Sequence, residues 1–82
     1  MDTKRLRLRI NNVVKATGCP PPDEIFFEQE VPAGYDADIL IAFRSAVETT
    51  LISAFNTAGF GGIIVPYKNG VAISIWKEML EQ

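Results

Sequence analysis

The chain has 82 residues, 48% of them hydrophobic, with one cysteine, no histidine and a formal net charge of −2. At this size a single domain, residues 1 to 82, buries only about 60 to 65% of its unfolded surface, so extra burial by association matters. Lone Cys19 excludes an internal disulfide or a multi-cysteine metal site, and the missing histidine excludes Ser-His-Asp and Cys-His catalysis and histidine-containing metal centres.

A reducing cytoplasm fits this cysteine usage. The basic N-terminus lacks the apolar core of a signal peptide, and the most apolar stretch, Ile39 to Phe55, is interrupted by Arg44 and Glu48, so no membrane span is expected. The charge is unevenly distributed. Residues 1 to 22 carry five basic side chains against Asp2, a balance of +4, while residues 23 to 82 carry nine acidic against three basic, a balance of −6. No Lys or Arg interrupts the acidic stretch from 23 to 38. Such opposed blocks attract, within one chain or between neighbouring copies.

Residues 3 to 17 satisfy two patterns. Lys4 to Ile10 alternates as a strand would, whereas Leu6, Ile10, Val13, Val14 and Thr17 form one helical stripe, with Asp2 or Thr3 as cap and Gly18 as stop. The helix accounts for more residues and for both ends; it leaves Leu8 exposed. Cys19-Pro20-Pro21-Pro22 is a stiff connector. Glu24 to Val31 reads as a strand, with Ile25, Phe27 and Val31 on one side and Phe26, Glu28 and Glu30 on the other, followed by a turn at Pro32-Ala33-Gly34.

Asp38 to Ala58 reads as the main helix, capped by Asp36 or Asp38, with Leu40, Phe43, Val47, Leu51, Ala54, Phe55 and Ala58 as its apolar stripe and Gly59 as its end. Its opposite side, Ala42, Ser45, Thr49, Ser53 and Asn56, is small and uncharged, and Arg44 and Glu48 are spaced to pair. Gly62 to Lys77 reads as a hairpin turning at Asn69-Gly70, which pairs Lys68 with Val71. One face then shows Ile64, Pro66, Val71, Ile73 and Ile75; the other shows Ile63, Val65, Tyr67 and Trp76, with Ala72 and Ser74 between them. Trp76 to Gln82 extends the strand or forms a short helical turn.

The fold class is α+β: a two-layer α-β-α-β-β domain with two helices and a three-stranded sheet that ends in a C-terminal β-hairpin, the Glu24 and Gly62 strands flanking a helical crossover.

Nothing in the chain specifies a chemistry or a cofactor. Cys19 follows a helix C-terminus, whose negative partial charge disfavours a thiolate, so it reads as packing and not as a nucleophile. The carboxylate pairs Glu28 with Glu30 and Asp36 with Asp38 read as a solvated acidic face in preference to an acid-base or cation site. Gly59-Phe60-Gly61-Gly62 follows a helix and leads into a strand, the reverse of a phosphate cradle.

The apolar second face of the hairpin carries the functional expectation. Phe26, Ile63, Val65, Tyr67 and Trp76 are the candidate interaction residues of a cytoplasmic, non-enzymatic module that forms a homo-oligomer or docks on a protein partner. The alternative is a small nucleic-acid-binding or regulatory protein using Lys4, Arg5, Arg7, Arg9 and Lys15, with charges that surround the first helix instead of forming one ridge. A third reading is a ligand-binding or enzymatic pocket between helix and sheet.

Overall fold

The computed structural model describes residues 2–44 and 49–80. Asp2 caps the first helix: its carboxylate accepts the Arg5 amide at 3.2 Å, and α1 runs Thr3–Ala16. Leu6, Ile10 and Val14, four residues apart, are buried, while Leu8 is 62% exposed. Gly18, at φ +77°, takes the left-handed conformation that stops the helix.

β1, Glu24–Phe27, is shorter than the strand expected to reach Val31. Glu28 has a positive φ of 47° and starts a 3-10 turn, Glu28–Glu30, so these two carboxylates do not share a strand face. The second correction is larger. The helix expected from Asp38 to Ala58 is two elements: β2, Ile39–Phe43, and α2, Thr49–Thr57. Every residue of β2 is buried, with β1 on one side and β4, Gly70–Ile75, on the other. A central strand covered on both faces has no polar alternation to mark it, so its run of apolar residues also fits a helix stripe. Ser45, Val47 and Glu48, expected in that helix, lie outside the described residues. Asp38 caps a different helix from the one expected: its carboxylate accepts the Lys77 amide at 2.8 Å, at the start of α3, Lys77–Leu80.

The C-terminal end of α2 is where the glycine signal placed it. Phe60 N–H donates to Phe55 O at 3.0 Å and Gly59 N–H to Asn56 O at 3.1 Å, a Schellman closure with Gly59 at φ +89°. The Phe55 and Phe60 rings meet edge-on at 5.7 Å, the apolar contact that accompanies this motif.

β3, Ile63–Tyr67, and β4 form the expected hairpin, but the turn is one residue earlier. Tyr67 pairs with Gly70 and Pro66 with Val71, so Lys68 and Asn69 make the turn and Lys68, not Gly70, has the positive φ, 49°. The pairing moves by two positions, which preserves which residues share a face, so the two-face assignment of the hairpin stands.

The sheet has four strands, one more than expected, in the order β1-β2-β4-β3, all antiparallel to their neighbours. The helical crossover therefore starts from β2 and not from the Glu24 strand, and β4 lies between the strands it joins. α1 and α2 lie side by side on one face, enclosing Phe27, Ile39, Ile41, Phe43, Ile73 and Ile75. This is the two-layer α+β architecture.

Candidate interaction surface

On the outer face, the central strands present Leu40, Ala42, Ala72 and Ser74, all buried although no residue of α1 or α2 joins their cluster. Ala42 and Ala72 are small, so larger side chains from the sheet edges lean across them. Phe26 on β1 comes within 6.1 Å of Tyr67 on β3, and Tyr35, from the connection between β1 and β2, stands 5.4 Å from Tyr67. Val31 joins the same cluster. Tilted rings at these separations attract by about 0.5 to 1.5 kcal/mol beyond their area burial. The cover is thus the chain's own β1–β2 connection.

The five candidate interaction residues are thereby separated. Tyr67 is buried at 7% exposure, Phe26, Val65 and Trp76 are half-buried, and Ile63 is 54% exposed. Ile64, assigned from the sequence to the opposite face of the hairpin from Ile63, is 44% exposed. It stands open because β3 is the edge of the sheet. Sequence reasoning missed Ile64 because no local pattern tells an edge strand from a central one, and missed Tyr35 because it sits in a turn-rich segment. An aromatic among Pro, Gly and Asp residues was the available signal for Tyr35.

Backbone directions at this edge follow from the ladder. Glu28 N–H donates to Asp38 O, which turns the even-numbered residues of β2 toward β1 and its odd-numbered residues toward β4. Carried across the registers, Ile63, Val65 and Tyr67 face β4, whereas Ile64 and Pro66 face away from the sheet. Pro66 has no N–H to expose, and its carbonyl accepts the Tyr35 hydroxyl at 3.3 Å. The Ile64 N–H and C=O remain outward-facing between two exposed isoleucine side chains.

The basic residues of α1 all reach solvent. Lys4, Arg5 and Lys15 project from its exposed side. Arg7 lies over the Phe27 ring at 5.1 Å and Arg9 over the Phe60 ring at 4.6 Å, the Arg9 guanidinium also donating to Ala58 O at 3.3 Å. Among the described residues, the ion pairs are Arg44 with Asp23 at 2.8 Å and Lys68 with Glu24 at 4.0 Å; none joins α1 to the acidic segment. The expected Arg44–Glu48 pair lies outside the described residues. Cys19 is half-buried beside a hollow of about 320 Å³ lined also by Asn11, Val14, Lys15 and Pro21. A second hollow of about 270 Å³ lies between Arg44 and Lys68 at the end of the sheet. Among the described residues, no three Cys, Asp or Glu side chains converge as metal ligands, and no helix is long and apolar enough to cross a membrane.

Comparison with protein-family models, with curated proteins and with solved structures returned no match.

Proposed function

We propose that this chain is a non-enzymatic, cytoplasmic self-association module that pairs with a second copy along β3. The observation that carries this reading is the exposure of Ile63 and Ile64, at 54% and 44%, on opposite faces of one edge strand. An edge strand is a template for pairing, and natural edges are usually protected by charges or prolines. β3 contains no charged residue and one proline, Pro66, so antiparallel pairing of two copies sets no like charges opposite each other. Centred on Ile64, such a pair exchanges two backbone hydrogen bonds between the same residue of each copy. The second copy is favoured as partner because this two-fold arrangement satisfies both edges with one sequence.

The strength of the contact follows from its size. Full burial of an isoleucine stabilises by about 1.5 to 3 kcal/mol, and roughly half of that remains available at each of the four side chains in a dimer, giving about 3 to 6 kcal/mol. Two hydrogen bonds add about 1 to 3 kcal/mol. Lost translational and rotational freedom opposes association by at least about 4 kcal/mol. The surplus is at most about 5 kcal/mol, so the expected outcome is a weak, reversible dimer with a dissociation constant of roughly 0.2 mM at its tightest.

Sedimentation equilibrium over a wide concentration range tests this directly. The parent should approach dimer mass at the top of the range, and Ile64→Lys should remain monomeric with an unchanged unfolding midpoint. Leu8→Lys, at the exposed position on α1, should associate like the parent. A parent that is monomeric throughout, or an Ile64→Lys variant that dimerises as well as the parent, would contradict the reading.

A further inference from the structure

We propose that the helical face is a second, separate binding surface, which takes the phosphate backbone of nucleic acid without reading its sequence. It is independent of association through β3, since none of its residues lies on that edge.

The charge blocks are placed on opposite faces of the sheet. α1 packs on the inner face through Leu6, Ile10 and Val14, and so places Lys4, Arg5, Arg7, Arg9 and Lys15 on that side. The connection carrying Glu28, Glu30 and Asp36 folds onto the outer face through Val31 and Tyr35. α2, beside α1, has no charged residue between Thr49 and Thr57. Among the described residues, the helical layer thus carries five cations against the capping Asp2. The net charge of −2 suggests that a polyanion is repelled, but distance decides otherwise. The molecule is 19 Å thick in its shortest Cα dimension, more than twice the Debye length of about 8 Å at physiological ionic strength. On that scale, salt weakens the repulsion between outer-face carboxylates and a polyanion on the helices.

The surface also has the right reach and chemistry. From Lys4 to Lys15 the helix rises about 16 Å, the span of roughly five phosphates along one strand. Arg7 and Arg9 are held on the Phe27 and Phe60 rings, so less freedom is lost when their remaining N–H groups meet phosphate. Exposed Asn11 and Asn12 on α1 and Ser53 and Asn56 on α2 add neutral donors of the kind that accompany backbone contacts. An anionic membrane is a poorer partner, because the apolar stripe of α1 is already buried and, of the large apolar side chains on that helix, Leu8 is the exposed one.

Fluorescence anisotropy with a labelled oligothymidylate, titrated across a salt series, tests the proposal. Lys4, Arg5 and Lys15 share the solvent side of α1 while Arg7 and Arg9 lie on its two flanks, so three to five phosphate contacts predict a log-log slope of affinity against salt of about −2 to −3.5, and Lys4→Gln with Arg5→Gln and Lys15→Gln should flatten it by about 2. All three side chains are exposed on the solvent side of α1. Leu8→Arg should steepen the slope by about 0.7, a gain that damage to the fold cannot produce. Glu30→Gln with Asp36→Asn should leave affinity near physiological salt within roughly twofold, since salt weakens the repulsion those groups exert at the helices. Absence of binding at low salt, a slope unaltered in the triple variant, or a roughly tenfold gain from the outer-face pair would overturn the proposal. So would equal competition by polyglutamate or by phosphatidylserine vesicles at matched charge, which would assign the surface to an acidic protein or a membrane.

Discussion

Gly70 opens β4 where the hairpin passes closest to the end of β2. A Cβ there would run into the carbonyl oxygen of Phe43 and lie 2.8 Å from the Arg44 carbonyl carbon, both backbone atoms that cannot swing aside. The glycine is required for space, whereas the strained backbone belongs to Lys68 at φ +49°. Gly70→Ala is expected to destabilise by about 1 to 3 kcal/mol, the order found for forced overpacking. Lys68→Asn should stabilise by about 0.5 to 1 kcal/mol by easing a left-handed conformation that asparagine tolerates better. Denaturant midpoints of the two variants check both, and equal small effects would mean that the turn lies elsewhere. The sequence placed the turn one residue late, at Asn69-Gly70 instead of Lys68-Asn69. Asn-Gly is the favoured two-residue turn, but nothing local shows that Phe43, from a distant strand, arrives over Gly70.

At the scale of elements, the outer-face cluster has the clearest energetic consequence. Tyr67 is the ring that both Phe26 and Tyr35 meet, and it is buried over the small residues Ala42 and Ala72. Tyr67→Ala should cost about 3 to 5 kcal/mol, as for other buried aromatics truncated to alanine, and half-buried Tyr35→Ala less. Thermal or denaturant unfolding of both variants measures this; a loss below about 1 kcal/mol at Tyr67 would show that the cover contributes little. Were another copy the cover, Tyr67→Ala would change the mass and leave the monomer's stability nearly intact. α1 was legible at both ends because its signals are local: a capping aspartate, a four-residue apolar spacing and a stopping glycine. α2 was legible only at its Gly59 end. Its start was not, because Ile39 to Phe43 is identified as a strand by the two neighbours it acquires from remote parts of the chain, and Leu40 and Phe43 fall at the spacing of a helical stripe that continues through Leu51 and Phe55.

Across the whole molecule, the sequence showed that opposed charges and two apolar hairpin faces exist, but not where they end up. Both answers depend on one segment, residues 28 to 38, which folds over the outer face, carries the acidic groups there and closes most of the surface that composition had marked as sticky. What remains open is the edge of the sheet. Association at that edge makes a prediction about one backbone group, because Ile64 N–H points away from β4 while the adjacent Val65 N–H is bonded within the hairpin. Residue-resolved amide hydrogen exchange, measured on dilute and on concentrated protein, reads the two groups side by side. Val65 should exchange slowly at both concentrations, and Ile64 should exchange fast when dilute and slow markedly as the copies pair. An Ile64 amide that exchanges at the same rate at both concentrations would contradict association through β3.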